Sequence, residues 1–343
     1  MNDSLLADWV RQKGCLMADG ATGTNLFAAG LNSGDSPELW NIEHPDRIIA
    51  HHQAFIQAGA DIILTNTFGG TKQRLKLHHA QDRVKEINET AARLAKRAAN
   101  QADRKVLVAG SMGPTGELFV PLGPLTHEEG VAAFLEQALA LKAGGVDLLW
   151  IETMSAREEV AAACEAAGKA GLPFIATCSF DTNGRTMMGL TPGEFARFVK
   201  YLPFPPIAYG ANCGVGASEL VVSILQMKEA ADPEDILIAK GNCGVPYFEN
   251  GQVKYSGTPA LMADYAQLVF NAGAKIIGGC CGTSYQHLAS IRNALDRLEP
   301  GPKPGIEDIT AKLGDLSSGT KNALSGKTGT RRANRRDNQN PSF

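Results

Sequence analysis

Two adjacent cysteines lie between glycines near the end of the apolar part of the chain, in the stretch GGCCGT at residues 278–283. Adjacent side chains on a strand point to opposite faces, so Cys280 and Cys281 would diverge if the strand continued through them. The surrounding glycines allow the backbone to bend or bulge, and both thiols can then turn toward one point. Thiolates are soft ligands that suit Zn²⁺, so this pair predicts a metal site that needs a third sulfur.

Two further cysteines could complete such a site. Cys213 and Cys243 each lie in an NCG tripeptide that ends an apolar run. Cys213 is the preferred third ligand, and Cys243 competes with it on position alone. Three thiolates leave one tetrahedral position open for an external thiol, whose pKa the metal would lower. An electron-rich site of this kind favours thiol alkylation over hydrolysis. The alternative is that these cysteines are buried small apolar residues.

The elements that must position these cysteines follow one repeated pattern. Short apolar runs end in small or polar residues, and each is followed by a helical stretch, which predicts an α/β protein. Eight such units predict a (β/α)8 TIM barrel as a single domain over residues 1–299, whose site lies at the carboxyl ends of its strands. A doubly wound sheet is the alternative, but no GxGxxG follows the first strand. The eight predicted strands lie within residues 15–20, 61–66, 105–113, 147–153, 173–180, 206–214, 235–242 and 274–282.

Composition limits the partners and the location of the protein. The 343 residues carry a net charge of −3, which does not favour a nucleic-acid partner or a membrane surface. No apolar run reaches the roughly 18 residues needed to span a membrane, and the first residues do not resemble a signal peptide. We therefore expect a cytoplasmic protein with reduced cysteines, compatible with a homo-oligomer. Residues 300–343 hold eight basic and four acidic residues and are predicted to form a disordered basic tail.

Several motifs together resemble the homocysteine S-methyltransferase family over roughly residues 15–298. This family includes betaine–homocysteine methyltransferase and the homocysteine-binding module of cobalamin-dependent methionine synthase. The combination of GGCCGT with an upstream NCG is the most specific part of the resemblance. The motifs are DGATGTNL (19–26), TNTFGG (65–70), GSMGPTGELFVPLG (110–123), IETM (151–154), GANCG (210–214) and GGCCGT (278–283).

The resemblance implies an enzyme that uses Zn²⁺ to transfer a methyl group to the thiol of homocysteine, giving methionine. By the same resemblance Cys213, Cys280 and Cys281 bind the zinc and act in catalysis through it. Cys243 falls where relatives of the methionine synthase type have an alanine, which indicates that it is not a ligand.

The resemblance also implies a pocket for the amino acid part of homocysteine. Asp19 after the first strand and Glu152 after the fourth would hold the amino group, since two carboxylates can bracket an ammonium. The substrate carboxylate would accept hydrogen bonds from backbone amides of the turn that begins at Gly20, where glycine permits a close approach. Thr67, at the end of the second strand, is assigned to the same pocket.

The methyl donor is predicted to be a small onium compound, with glycine betaine as the first choice, held against aromatic faces. Trp40 is expected to form one wall of the donor site, with Tyr247 and Phe248 as further candidates. One alternative is a subunit that takes its methyl group from a separate corrinoid protein, because no cobalamin-binding DxHxxG pattern occurs in the chain. Another is a non-catalytic barrel stabilised by zinc, in which Cys243 would close the site as a fourth ligand.

Overall fold

The computed structural model describes residues 4–249 and 252–324. Within these ranges the chain forms an eight-stranded parallel barrel surrounded by helices, so the predicted (β/α)8 architecture and its eight strands are confirmed. The barrel strands are β1 (Leu16–Met17), β2 (Ile62–Leu64), β3 (Leu107–Met112), β4 (Leu148–Met154), β5 (Phe174–Cys178), β6 (Tyr209–Cys213), β7 (Leu237–Gly241) and β10 (Ala274–Gly279).

One helix follows each barrel strand and covers it from outside. These helices are α4 (Pro45–Gln57), α6 (Val84–Asn100), α7 (His127–Ala143), α8 (Arg157–Ala170), α9 (Pro192–Lys200), α10 (Ala217–Ala230), α11 (Pro259–Asn271) and α12 (Tyr285–Asp296). Their starts have physical causes: for example, Thr126 and Glu129 form a capping box at α7 that satisfies two backbone amides at the helix start. Shorter helices are α1 (Ser4–Lys13), α2 (Gly23–Ala28), α3 (Trp40–Glu43), α5 (Lys72–Lys76), α13 (Ile306–Leu313) and α14 (Ser318–Leu324).

The barrel closes between its first two strands. The strand order is β1-β10-β7-β6-β5-β4-β3-β2, and a parallel bridge between Ala18 and Ile62 joins the two ends. The Asp19 amide donates to the Ile62 carbonyl at 2.9 Å. The closure sets β2 beside β1, while β10 and β7 follow β1 in the sheet, so the residues after these strands surround a common opening.

Two apolar cores hold the barrel in shape. The larger core lies between the sheet and the outer helices, and a smaller one fills the barrel interior with side chains such as Leu16, Trp150 and Ile238. Trp9 and Val10 of α1 belong to the interior core, so this helix packs against the barrel at the end away from the strand carboxyl ends. The barrel is therefore filled from one end and remains open at the other, as expected for this fold.

The connection after β7 contains a feature that the sequence did not predict. Strands β8 (Pro246–Glu249) and β9 (Gln252–Tyr255) form an antiparallel hairpin between β7 and α11. The Gly257 amide donates to the Cys243 carbonyl at 3.0 Å and ties the base of the hairpin to the barrel.

No helix in the described ranges is both long enough and apolar enough to cross a bilayer.

The predicted boundary at residue 299 requires correction for residues 300–324, which contain α13 and α14 rather than disordered chain. Ile309 and Leu313 of α13 are buried, and α13 packs against α10 and α11. The Ser317 amide and the Thr320 hydroxyl donate to the buried carboxylate of Glu219 on α10. These contacts offset the entropy of ordering a polar segment. Residues 325–343, with the basic stretch RRANRR, lie outside the described residues.

Replacement of Ile309 by alanine is expected to destabilise the barrel, because this side chain is fully buried. Large-to-small substitutions at such positions cost about 2–5 kcal/mol in the free energy of unfolding. Ile306→Ala is the matched control, since Ile306 lies on the same helix and is exposed. Urea unfolding measures both variants, and equal midpoints for the two would show that α13 does not stabilise the barrel.

Candidate active site

Three thiols from two strand ends meet at the open end of the barrel. The sulfurs of Cys213, Cys280 and Cys281 all lie within 4.8 Å of one another, and Cys213 Sγ is 3.9 Å from Cys281 Sγ. Zinc–sulfur bonds of about 2.3 Å in a tetrahedron require sulfur separations of about 3.8 Å. The cluster therefore matches the spacing of a zinc site and is assembled from the three cysteines that the sequence predicted as ligands.

Local backbone geometry brings the three thiols to one point. β10 ends at Gly279, so Cys280 and Cys281 lie beyond the strand rather than on opposite faces of it. Gly282 has φ +78°, a conformation that side chains rarely adopt, and it turns the chain back immediately after the pair. Cys213 itself has φ +61°, which costs a non-glycine residue about 1–2 kcal/mol. Such a cost is tolerated where the surrounding structure fixes the residue for a function.

The side chains of Asn212 and Asn242 contact the cysteine sulfurs and hold them in position. Asn212 Nδ2 donates to Cys280 Sγ at 3.8 Å, and Asn242 Nδ2 donates to Cys213 Sγ at 3.7 Å. Asn242 Oδ1 also accepts from the Cys281 amide at 3.0 Å. Both asparagines are the first residues of the two NCG tripeptides, and the sequence predicted no role for them. Partners of this kind hold metal ligands in position and tune them.

The pKa values of the clustered thiols indicate that a cation is needed to hold them as thiolates. The hydrogen bond with Cys280 lowers the pKa of the Cys213 thiol, but the hydrogen bond with Cys281 and burial together raise it to about 12. The pKa of Cys281 is likewise raised to about 12, chiefly through its hydrogen bonds and charge interaction with the other two thiols. Three thiolates can coexist here only with a positive charge between them, so the donor set fits a soft divalent metal.

Cys243 lies outside this cluster, as the resemblance implied. Its side chain is fully buried, and its sulfur packs against Gly257 at the base of the hairpin. Burial raises the pKa of its thiol to about 11, so it behaves as a small apolar residue. The described residues therefore offer three cysteine ligands and not four, which is the arrangement of an open zinc site.

The cluster opens into a cavity of about 510 Å³ at the carboxyl ends of the strands. Of the residues predicted for the amino acid pocket, Gly20, Thr67 and Glu152 line this cavity together with the three cysteines. The Thr67 hydroxyl donates to the Ser111 carbonyl at 2.7 Å and so holds β2 against β3. The structure thus brings the predicted metal ligands and most of the predicted substrate residues to one site.

Asp19 has a partner that the sequence analysis missed. Lys240 of β7 extends its amine to 2.7 Å from Asp19 Oδ1, and the Leu64 amide donates to Asp19 Oδ2 at 2.7 Å. Burial alone would lower the pKa of the lysine amine, but the charges of Asp19 and Glu152 raise it above its ordinary value. The signal was a lysine in the middle of the apolar run DILIAKGN, where a charge must find a partner.

Glu152 is more accessible from the cavity than Asp19. Its carboxylate accepts a hydrogen bond from the Ser111 hydroxyl and faces the cavity. Burial raises the pKa of this carboxyl, and Lys240 and Ser111 oppose that effect. A ligand cation that enters the cavity would compensate the cost of burying this charge.

Two of the aromatic residues predicted for the donor site, Trp40 and Tyr247, lie outside the cavity lining. Trp40 is buried in a separate apolar cluster with Leu26, Leu31 and Ile48, and it does not line the cavity. Tyr247 is exposed on the β8–β9 hairpin and also lies outside the cavity lining; Phe248 belongs to β8, but its side chain is outside the described residues.

Phe27 and Phe68 line the cavity in their place and are partly exposed to solvent. Phe68 was detectable in the sequence because it directly follows Thr67 at a strand end.

Comparisons with known proteins identify the family of this chain. The family model described as homocysteine S-methyltransferase matches residues 16–295. Methionine synthase from Mycobacterium tuberculosis is 29% identical over 314 residues, which is 87% of this chain and 26% of that protein. Methionine synthase from Mycobacterium leprae is 28% identical over 306 residues, 84% of this chain and 25% of that protein. The chain thus spans about a quarter of the length of these curated relatives.

Solved structures of a homocysteine methyltransferase also resemble this chain. The oxidised form of the homocysteine methyltransferase MmuM from Escherichia coli has a TM-score of 0.69 and 25% identity, and it covers 85% of this chain and 99% of its own. The metallated form of MmuM has a TM-score of 0.70 at 23% identity, with the same coverage, and shares the fold. Because the family model matches most of the chain, including every cysteine of the cluster, this protein belongs to the homocysteine S-methyltransferase family.

Proposed function

We propose that this protein catalyses zinc-dependent transfer of a methyl group from a small onium donor to the thiol of homocysteine, giving methionine. The observation that carries the proposal is the convergence of a three-thiol cluster and a buried carboxylate on one cavity. The thiols suit a metal that binds sulfur, and Glu152 suits the ammonium group of an amino acid. Homocysteine presents both groups on one short chain.

Cys213, Cys280 and Cys281 would hold the zinc ion. When bound there, zinc would act as a Lewis acid that lowers the pKa of an external thiol, its fourth ligand, and keeps that thiol as a thiolate at neutral pH. The protein's own residues prepare this site: Asn212 and Asn242 orient the cysteine sulfurs.

At the other end of the substrate, Glu152 would bind the ammonium group. The charge of Glu152 contributes to the raised pKa of Cys280, which indicates that the two groups are near each other. Backbone amides in the turn that begins at Gly20 would bind the carboxylate, since that turn lines the same cavity.

The methyl transfer itself balances without a redox partner. The thiol proton is lost to solvent, a bond forms between the substrate sulfur and the methyl carbon, and the bond from that carbon to the onium nitrogen or sulfur breaks. The leaving group keeps the electron pair and departs as a neutral amine or thioether centre.

The cavity also offers groups that suit a donor with a positive charge. Phe27 and Phe68 belong to its lining, and so do the acidic residues Asp35 and Glu38. Glu38 is fixed by the Gly69 amide, which donates to it at 2.7 Å, and by the Ser36 hydroxyl. Aromatic faces and carboxylates together attract quaternary ammonium and sulfonium ions. Glycine betaine is our first choice of donor, on the basis of its charge and size.

Turnover with a panel of donors tests this choice. Zinc-loaded protein and homocysteine should form methionine with glycine betaine, or with dimethylsulfoniopropionate or S-methylmethionine, but not with methylcobalamin. Phe68→Ala should raise KM for the active donor by about 2- to 30-fold, the range expected for one lost cation–π contact. Phe204→Ala is the control, because Phe204 is exposed to the same degree, 39% against 38%, and lies outside the cavity. Methionine formed only from methylcobalamin would refute the onium donor and favour a corrinoid partner.

A further inference from the structure

Lys240 lines the cavity and forms an ion pair with Asp19, a buried carboxylate that does not belong to the described cavity lining. The side chains of Lys240 and Asp19 are only 3% and 1% exposed, and their charged atoms are 2.7 Å apart. The second oxygen of Asp19 accepts from the Leu64 amide. Both carboxylate oxygens of Asp19 are thus engaged by protein donors before any ligand enters.

The two carboxylates of the pocket therefore differ in access. Glu152 and Lys240 belong to the described residues that line the cavity, whereas Asp19 does not and is paired with Lys240. The amine of Lys240 also lies 5.1 Å from the centroid of the Trp150 ring, which helps to keep it in this position. An entering ammonium group would meet Glu152 first and would have to displace a buried amine to reach Asp19.

We infer that Lys240 is a positioning residue that neutralises Asp19 and leaves Glu152 alone to bind the ammonium group of the substrate. The inference rests on the proposed function, since it concerns the recognition of an amino acid. With Asp19 and Lys240 paired, the three side chains carry one net negative charge, which matches one ammonium. Specificity for a free α-amino group then follows from charge balance, because a ligand without that cation leaves Glu152 buried and unpaired.

A charge-balance role predicts that the effect of one substitution is reversed by another. In Asp19→Asn, the amine of Lys240 loses its partner, and its flexible side chain can turn to Glu152. The lysine then occupies the place of the substrate's ammonium. Additional replacement of Lys240 by methionine removes this internal competitor and restores one unpaired carboxylate in the pocket. Removal of both members of a buried pair also avoids an isolated buried charge, so the double variant is the more stable reagent.

Calorimetric binding of L-homocysteine to zinc-loaded protein provides the test, with L-methionine as a second probe that carries no free thiol. Asp19→Asn is expected to weaken binding by about 30-fold or more, the usual cost of an unpaired buried charge. Asp19→Asn/Lys240→Met should return both affinities to within about threefold of the wild type. Equal zinc content in all variants shows that the effect arises in the amino acid pocket rather than at the metal.

The outcomes separate this inference from the proposed function. If the wild type binds both probes and the double variant stays as weak as Asp19→Asn, then Asp19 contacts the ammonium directly and the inference is overturned alone. If the wild type binds neither probe, the proposed function fails and the inference fails with it. A crystal structure of the wild type with homocysteine gives an answer without any variant. The ammonium on Glu152, with Lys240 still on Asp19, supports the inference, and the ammonium on Asp19 overturns it.

Discussion

Cys280→Ala and Cys281→Ala are each expected to lose the zinc ion and, with it, methyl transfer to homocysteine. Wild-type protein should hold about one zinc per chain in a site with three protein ligands. Loss of one thiolate leaves two, so zinc affinity should fall by more than the 10- to 100-fold that loss of an outer hydrogen-bonding partner typically costs. Metal analysis after dialysis against a weak chelator measures the occupancy directly.

Cys243→Ser is the matched control for this experiment, because Cys243 is a nearby buried cysteine outside the cluster. It should keep its zinc. Zinc affinity of the wild type should also fall at low pH, since protons compete with the metal for the thiolates. Full zinc occupancy in a triple Cys213/Cys280/Cys281 alanine variant would show that the metal binds elsewhere. Loss of zinc in Cys243→Ser would instead revive the closed four-ligand site of a non-catalytic barrel.

The fold was predictable because its signals are local and repeated. Each barrel strand is a short apolar run, and each run is followed by a helix with its own start and stop residues. The hairpin β8–β9 escaped prediction because its segment, PYFENGQVKY, follows a strand that already completes its βα unit, although the Asn-Gly pair between aromatic and β-branched residues is a signal typical of hairpins. The helices α13 and α14 were missed for a related reason, since their stability depends on tertiary contacts with α10 and α11 and not on composition.

The thiol cluster was predictable because glycine carries backbone information. Glycines on both sides of Cys280 and Cys281 indicated a sharp turn, and a turn at a strand end allows adjacent side chains to converge. The third cysteine required the additional knowledge that strand ends of a barrel face one opening.

Side-chain partners and orientations were not predictable in the same way. Trp40 follows the first strand as the sequence suggested, but it packs in a buried apolar cluster with Ile48, whereas Phe27 and Phe68 line the cavity. The pairing of Asp19 with Lys240 joins residues 221 positions apart, which only the closed barrel brings together. Position along a strand thus identifies candidates, whereas packing decides which of them a substrate can reach.

Under the proposed function, Glu152 is the residue on which recognition of the amino acid is expected to depend most strongly. It is buried, its charge is only partly compensated by the Ser111 hydroxyl and by Lys240, and it lines the cavity. An ammonium group placed beside it would gain a nearly full ion pair away from water. A neutral amide at this position keeps the shape and the hydrogen bond from Ser111 but removes the charge.

Glu152→Gln is therefore expected to weaken homocysteine binding by about 2–5 kcal/mol, which is roughly 30-fold or more in affinity, and to leave the zinc in place. Glu159→Gln is the matched control. Glu159 is a buried glutamate on the neighbouring helix that accepts hydrogen bonds from the backbone and hydroxyl of Thr115, and it does not line the cavity. Its substitution should lower stability without changing affinity. Calorimetry with L-homocysteine separates the two, and an unchanged affinity in Glu152→Gln would place the amino acid pocket elsewhere.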